Sequence, residues 1–212
     1  MKLHEIALTE EQLDEARLRH ALAAAGLAGA LALSGSSGNH TDRPVQTPSP
    51  HITQSTQAPR VQGTTKQHIA AMTDAILDKY DVNPNLAHRV ATTAKKYEYP
   101  NFPKAEDILA ITGVESSFDP TSKSGLQHDP ALGLMQVRPG IWNLSPRALS
   151  TIDKQIKVGA TILHSYYQKL GSVEAAVHAY NIGLTNYRHQ TNLNPNYVNK
   201  YSNERKIYSN IM

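Results

Sequence analysis

The apolar positions in the C-terminal two thirds of the chain recur at helical spacing. The segment "IDKQIKVGATILHSYYQKL" places apolar or small side chains on one helical face, at Ile152, Ile156, Gly159 with Ala160, and Leu163. Gly171 follows directly, and glycine is the residue that most often ends a helix. This stretch therefore predicts one long amphipathic helix.

Similar patterns predict further helices and few strands. The predicted helices are His68 to Tyr80, a second one after the turn at Asn83 to Asn85 that ends near Tyr97, a third one introduced by Pro100 and Pro103, a short one between Ser172 and Gly183, and a terminal one marked by Tyr197, Val198, Tyr201 and Tyr208. Alternating strand patterns are scarce. We therefore expect an α+β fold that is predominantly α-helical, with at most a small sheet or hairpin within residues 118–140.

The N-terminal part of the chain has a different pattern. Residues 1–20 predict a short polar helix, and residues 21–33, "ALAAAGLAGALAL", form a short apolar run. The run is shorter than the roughly 20 apolar residues of an ordinary membrane span. Its length suits an export signal, although the preceding residues are net acidic where such a signal is positive. A weak membrane-inserting helix and a helix that docks on another protein are equally consistent with it.

A linker separates this segment from the helical part. Residues 34–65 contain four prolines among Ser, Thr, Gln and Gly, with almost no large apolar side chain. Such a composition buries too little surface to fold, so it predicts disorder. The sequence therefore divides into an N-terminal segment at 1–33, a disordered linker at 34–65 and a catalytic domain at 66–212.

Composition and motifs exclude several chemistries. The chain has no cysteine, which rules out disulfides, thiolate metal sites and a cysteine nucleophile. Its ten histidines include no HExxH pair, and no phosphate-binding glycine loop or G-x-S-x-G elbow occurs. Residues 66–212 hold 16 Lys and Arg against 12 Asp and Glu, a balance that tolerates an acidic polymer. No basic cluster is interleaved with aromatics, so we expect no nucleic-acid partner, and we expect neither metal nor cofactor.

One carboxylate stands where a charge is unfavourable. In "ILAITGVESSFDP" a helix would place Ile108, Ile111 and Glu115 on one face, near the end that Pro120 enforces. The negative end of the helix and an apolar surrounding both raise the pKa of a glutamic acid, which keeps it protonated as a proton donor. An ordinary exposed glutamate in a last helical turn is the alternative.

The motif around Glu115 is followed by four other blocks in a recognisable order. These are "GLMQVRP", "QIKVGATIL", "AYNIG" and "NYVNKY". Together the blocks resemble the catalytic domain of the soluble-type lytic transglycosylases, which cleave peptidoglycan and share a lysozyme-like fold. The resemblance covers roughly residues 85–208.

The resemblance implies a mechanism with a single carboxylate. Glu115 would protonate the oxygen between N-acetylmuramic acid and N-acetylglucosamine, then accept the proton of the muramic C6 hydroxyl as a 1,6-anhydro ring closes. The substrate's N-acetyl group would replace the second carboxylate that most glycosidases use. From the residues alone, Asp119 and Asp129 are the nearest candidates for a second carboxylate, although each is also typical of a turn.

The resemblance also implies substrate-binding residues. Ser124 would bond near the acetamido group, Gln136 would hold sugar hydroxyls or the acetamido group, and a tyrosine hydroxyl of "AYNIG" would bond the catalytic carboxyl. The implied groove residues are Ser124, Met135, Gln136, Tyr180, Asn181 and Tyr197. On spacing alone Met135 is more typical of a core residue that adapts to its surroundings, and Tyr201 and Tyr208 are typical of structural positions.

The segment between Ser124 and Gly133, "GLQHDPAL", is about three residues longer than the family's usual linkage. With "VRPGIW" it looks more like the transglycosylase domains of bacteriophage particles than like housekeeping enzymes. We therefore expect a virion-associated or exported protein that acts on peptidoglycan glycan strands in the periplasm or cell envelope. We expect residues 1–33 to contact a virion or envelope protein or, weakly, a membrane. A muramidase that uses water and a wall-binding protein without turnover are the rival interpretations.

Overall fold

The computed structural model describes residues 65–210 of the chain. The predictions for residues 1–33 and for the linker up to residue 64 lie outside the described residues. Within the described range the structure is helical and contains no strand. Its helices are α1 (Thr65–Lys79), α2 (Pro84–Lys96), α3 (Ala105–Ser116), α4 (Ile152–Leu170), α5 (Val173–Ile182), α6 (Leu184–Arg188) and α7 (Pro195–Ser209), with 3₁₀ turns at Gly140–Trp142 and Pro146–Leu149.

Local capping chemistry explains why most helix ends fall where the pattern predicts them. The side chains of Asn83, Thr151 and Ser172 accept hydrogen bonds from backbone N–H groups in the first turns of α2, α4 and α5. Gly171, at φ 70°, ends α4 in the left-handed region. The long amphipathic helix is confirmed at both ends. Helix α1 begins three residues before His68, and α6 was not predicted, because five residues carry too little periodicity.

Helix α3 is the centre of the domain. Every residue from Ala105 to Gly113 is buried, because α2, α4 and α7 pack around it. A helix that is buried on all sides has no separate polar face. Ile108 and Ile111 therefore belong to a helix that is buried on all sides and that also buries polar side chains such as Asp107, and Glu115 follows in the last turn.

The loop between α3 and α4 carries little regular structure. The small sheet expected within residues 118–140 consists of two isolated antiparallel bridges, one pairing Lys123 with Leu132 and one pairing Leu132 with Val137. The prediction of a predominantly helical fold is confirmed. No helix of the described part is long and apolar enough to cross a membrane.

Candidate active site

A cavity of about 570 Å³ opens between the end of α3, the following loop, α4 and the α5–α6 corner. Glu115 lines it together with aromatic, apolar and amide side chains. Among the residues that the structure describes, Glu115 is the only carboxylate in this lining. The cavity therefore joins one acid to a surface suited to a polar polymer with apolar ring faces.

Glu115 occupies the last turn of α3, which ends at Ser117 in the left-handed conformation with φ 52°. The Tyr197 hydroxyl donates a hydrogen bond to Glu115 Oε1 at 2.5 Å. Burial raises the pKa of Glu115 to about 7, and the hydrogen bond from Tyr197 acts in the opposite direction. The direction expected from the sequence is confirmed, and loss of solvation is its main cause. Both protonation states are then accessible near neutral pH.

The two groove tyrosines have contacts that differ from those expected. Tyr180 donates its hydroxyl proton to the carbonyl oxygen of Met135 at 2.7 Å, so it does not bond the carboxyl of Glu115. Tyr197 makes that bond from the first turn of α7. Its side chain is buried and does not line the cavity, which corrects the expected contact with substrate. Spacing cannot separate the two roles, because α7 reaches Glu115 only through tertiary packing. Tyr180 lines the cavity beside Glu115 and shapes its floor.

Met135 is fully buried, which corrects the expected contact with a sugar ring. A Cβ at Gly159 would come within 2.3 Å of its sulfur, so the side chain fills the space that this glycine leaves on α4. Its carbonyl oxygen, by contrast, accepts the bond from Tyr180. Met135 therefore does not face the cavity, and it positions the cavity residue Tyr180 through its backbone carbonyl.

Gln136 lines the cavity in a left-handed backbone conformation with φ 46°. Its amide nitrogen donates to the carbonyl oxygens of Gly133, at 2.9 Å, and Ser122, at 3.2 Å. These bonds hold the residue in the loop, in addition to the expected contact with substrate. Gly133 itself, at φ 70°, lies so close to Gln155 that a Cβ would fall 2.2 Å from the amide carbon.

The sequence analysis did not single out Gln155 as a supporting residue, although this residue opens the "QIKVGATIL" block quoted above. Its buried side-chain amide accepts from the Leu134 N–H at 2.9 Å and donates to the carbonyl oxygens of Pro120 and Leu149, each at 3.0 Å. The amide thereby ties the start of α4 to both ends of the preceding loop. A polar residue on the apolar face of α4 is the only signal that could have indicated this role.

Ser124 and Asn181 line the cavity and also hold neighbouring segments. The Ser124 hydroxyl accepts from the Ala131 N–H at 2.8 Å and closes the long loop. The exposed Asn181 side chain accepts from the amide of Asn194, the residue that caps α7, at 3.0 Å. Each side chain is placed to meet a ligand while it fixes a loop.

The two aspartates considered as second carboxylates do not line the cavity. Asp119 accepts hydrogen bonds from the backbone and hydroxyl of Thr121, which lower the pKa of its carboxyl. Asp129 accepts from the Gly140 N–H at 2.8 Å and pairs with Arg138 at 3.3 Å. Both carboxylates are engaged in the loop, in agreement with the turn interpretation.

The cavity has further lining residues that the sequence did not indicate. Trp142 is only 9% exposed but contributes to the lining. Its ring contacts Tyr166 of α4 with 6.0 Å between centroids. Ile162, Tyr166 and Lys169 follow each other at helical spacing along the same wall.

Comparison with known protein families supports this description of the site. Searches of curated proteins and of solved structures give no match. A family model described as "Transglycosylase SLT domain" matches residues 77–203, which is more than half of the chain. The match contains Glu115, the cavity and the helices that build it. The chain therefore belongs to the transglycosylase SLT domain family, whose members are lytic transglycosylases that act on peptidoglycan.

Proposed function

We propose that this protein cleaves the β-1,4 bond between N-acetylmuramic acid and N-acetylglucosamine and leaves a 1,6-anhydro ring on the muramic acid. Glu115 serves as the only acid and base. The observation that carries the proposal is a single partly buried carboxylate with a pKa of about 7 in the lining of the cavity.

In the first step the protonated carboxyl of Glu115 donates its proton to the glycosidic oxygen, and the bond from that oxygen to the muramic anomeric carbon breaks. The substrate's acetamido oxygen stabilises the cationic carbon. General acid catalysis of this kind contributes about 10²- to 10⁴-fold in rate. Burial favours this step, because it keeps Glu115 protonated near neutral pH.

In the second step the Glu115 carboxylate accepts the proton of the muramic C6 hydroxyl. The C6 oxygen forms a bond to the anomeric carbon, so the ring closes and Glu115 is protonated again. No water is consumed. The Tyr197 hydroxyl, which donates to Oε1, stabilises the carboxylate between the two steps.

A muramidase that uses water is the first rival. Inverting and retaining hydrolases of the usual kind place a second carboxylate about 5 to 9.5 Å from the acid. The described lining of the cavity offers none, since Asp119 and Asp129 are engaged elsewhere. A wall-binding protein without turnover is the second rival, and such a protein would have no use for an acid with a raised pKa.

Mass spectrometry of soluble muropeptides tests the proposal. The full-length chain is incubated with purified peptidoglycan, with Glu115→Gln as the inactive variant and Glu174→Gln, at an exposed position on α5, as the matched control. We expect anhydro-muramyl products from wild type and from the control, and none from Glu115→Gln. Products with reducing ends would favour the muramidase, and wall binding without release would favour the binding protein.

We also propose that the protein acts in the periplasm or cell envelope as part of a phage particle, with residues 1–33 contacting a virion or envelope protein. The long segment at residues 125–132 and the "VRPGIW" block support this over a housekeeping enzyme. N-terminal sequencing of native protein tests it. A retained N-terminus agrees with a virion component, whereas a mature chain that starts near Ser34 would indicate export by a cleaved signal.

A further inference from the structure

Two basic side chains lie at the α4–α6 end of the cavity without an acidic partner among the described residues. Lys169, in the last turn of α4, lines the cavity. Arg188 ends α6 one helical turn after Leu184 and Thr185, which line the same cavity. Burial lowers the pKa of Lys169, and the nearby charge of Arg188 lowers it further. Positive charge in the wall of a cleft raises the local concentration of anions there.

Lys169 and the proposed catalytic acid Glu115 line the same cavity, together with Tyr166 and Tyr180. Tyr180 is close enough to both Glu115 and Tyr166 that each raises its pKa, after burial itself. Tyr166 and Lys169 are three residues apart on α4, which is a rise of about 4.5 Å along the helix. A substituent of a sugar bound at Glu115 can therefore reach Lys169 along this wall.

Another cation in the lining is not available to a ligand in the same way. Arg138 donates to the backbone carbonyl of Asp129 at 3.1 Å and pairs with its carboxylate at 3.3 Å. Its charge is compensated within the loop. The uncompensated charge of the cavity is therefore concentrated at Lys169 and Arg188.

The inference rests on the proposed function, because it takes peptidoglycan as the substrate. The lactyl group of muramic acid carries a peptide stem, and this peptide has free carboxylates. Muramic acid is also the sugar whose anomeric carbon reacts. We infer that Lys169 and Arg188 bind a carboxylate of this peptide stem and so direct the enzyme to glycan strands that still carry their peptides. A charge-assisted pair of this kind fixes orientation as well as adding affinity.

A structural role for Lys169 has to be separated from this one. A cation in the last turn of a helix interacts favourably with the partial negative charge there. Lys206 also lies in the last turn of a helix, α7, is exposed, and does not line the cavity. Lys206→Glu is therefore the matched control for Lys169→Glu, since both substitutions make the same change to a helix end and to the net charge.

The test measures binding in the full-length chain with Glu115→Gln, so that no strand is cleaved. Co-sedimentation with two preparations gives the Kd: glycan strands with intact peptide stems, and strands stripped by an amidase, which keep only the lactyl carboxylate. We expect Lys169→Glu to weaken binding to the stem-bearing strands about tenfold, as for a lost charged hydrogen bond, and to change binding to the stripped strands much less. Lys169→Arg should retain affinity and Lys206→Glu should change nothing.

Two results would overturn the inference. An unchanged Kd for stem-bearing strands in both Lys169→Glu and Arg188→Glu would remove the subsite. An equal loss on both preparations would assign the cations to the lactyl carboxylate instead of the stem. Thermal melting verifies that each variant is folded, and the exposed Arg188 provides a second variant on a different helix. Because the assay needs no turnover, reducing-end products from wild type would contradict the proposed function and leave this result intact.

Discussion

At the scale of single residues, the proposed mechanism makes the pKa of Glu115 the determinant of the pH range in which the protein works. The first step needs the protonated carboxyl, whose pKa burial raises to about 7. We therefore expect kcat to fall as the pH rises through about 7. A pH–rate profile on purified strands measures this. A rate that stays constant from pH 6 to pH 9 would contradict the role of Glu115 as the acid.

Tyr197 provides a way to shift that profile. Its hydroxyl stabilises the Glu115 carboxylate, so Tyr197→Phe removes an interaction that lowers the pKa. We expect the alkaline limb to move upward by about one pH unit, because a hydrogen bond to a charged group is worth about 1.5–3 kcal/mol. Tyr167→Phe, at a tyrosine whose hydroxyl has no hydrogen-bond partner among the described residues, is the control. An alkaline limb that stays in place would show that the bond does not control ionisation.

The same carboxyl makes the folded protein less stable at higher pH. The folded-state pKa of about 7 exceeds the ordinary value of 4.5, so the folded chain holds a proton that the unfolded chain releases between these two values. The free energy of unfolding therefore falls across this range. Glu115→Gln does not titrate, and we expect it to be more stable than wild type by about 1–3 kcal/mol at pH 8.

Thermal unfolding at a series of pH values tests this expectation. The stability difference between Glu115→Gln and wild type should disappear below pH 4.5, where both states of the wild-type carboxyl are protonated. Glu174→Gln serves again as the exposed control. If Glu115→Gln were less stable than wild type at pH 8, ionisation of Glu115 would not lower the free energy of unfolding.

Sequence reasoning identified Glu115 but assigned some of its neighbours to the wrong contacts. The helical position alone left an ordinary exposed glutamate as the alternative, and the resemblance carried by the motifs after Glu115 decided between the two interpretations. The partner of its carboxyl depends on how α7 packs on α3, so Tyr180 and Tyr197 were indistinguishable from spacing. Met135 was placed in the groove although its side chain fills the gap at Gly159.

At the scale of elements, the helices were predictable where local chemistry defines both ends. The capping Thr151 directly precedes helix α4 and Gly171 directly follows it, and the predicted limits of the helix are confirmed. The loop before α4 was not predictable in the same way. Its shape depends on the buried amide of Gln155, which satisfies backbone groups that are 6 to 35 residues away along the chain.

The close approach of α4 to the catalytic loop at Gly159 gives a prediction at this scale. A Cβ there would lie 2.3 Å from the sulfur and 2.9 Å from the Cβ of Met135, so Met135 has to move. We expect Gly159→Ala to cost about 1–3 kcal/mol of stability, as overpacking usually does, and to lower kcat because the Met135 carbonyl anchors Tyr180.

Gly125→Ala is the matched control, because a Cβ at that position meets nothing within 4 Å. Chemical denaturation and the rate on glycan strands measure both variants. If Gly159→Ala kept the stability and kcat of wild type, α4 would not constrain the catalytic loop.

At the scale of the whole molecule, the candidate active site has the hydrogen bond from Tyr197 to Glu115 only when α7 is docked on α3. The Asp107 carboxylate at the start of α3 accepts from the Tyr201 hydroxyl at 2.6 Å and from the Arg205 guanidinium at 2.5 Å. On the neighbouring turns, Glu204 accepts from Lys79 and Tyr80 and so joins α7 to α1. These polar contacts hold the helix that carries Tyr197.

Removal of the central carboxylate tests this arrangement. We expect Asp107→Ala to lower the free energy of unfolding by about 2–3 kcal/mol, because it leaves the buried Tyr201 hydroxyl without its acceptor and the half-exposed Arg205 guanidinium without its ion pair. Asp153→Ala removes the exposed pair with Lys96 and should cost no more than about 1 kcal/mol. Equal losses in the two variants, measured by urea denaturation, would show that the contact between Asp107 and α7 is not a main source of stability.

The central claim is that one carboxylate cleaves the glycan strand without water. The most direct measurement is the reaction of the full-length protein with purified peptidoglycan in H₂¹⁸O, followed by mass spectrometry of the released muropeptides, with a hydrolytic muramidase as the positive control. The account predicts anhydro products without ¹⁸O from the wild-type protein and no products from Glu115→Gln. Incorporation of ¹⁸O at the new muramic end would contradict it and would show that water is the nucleophile.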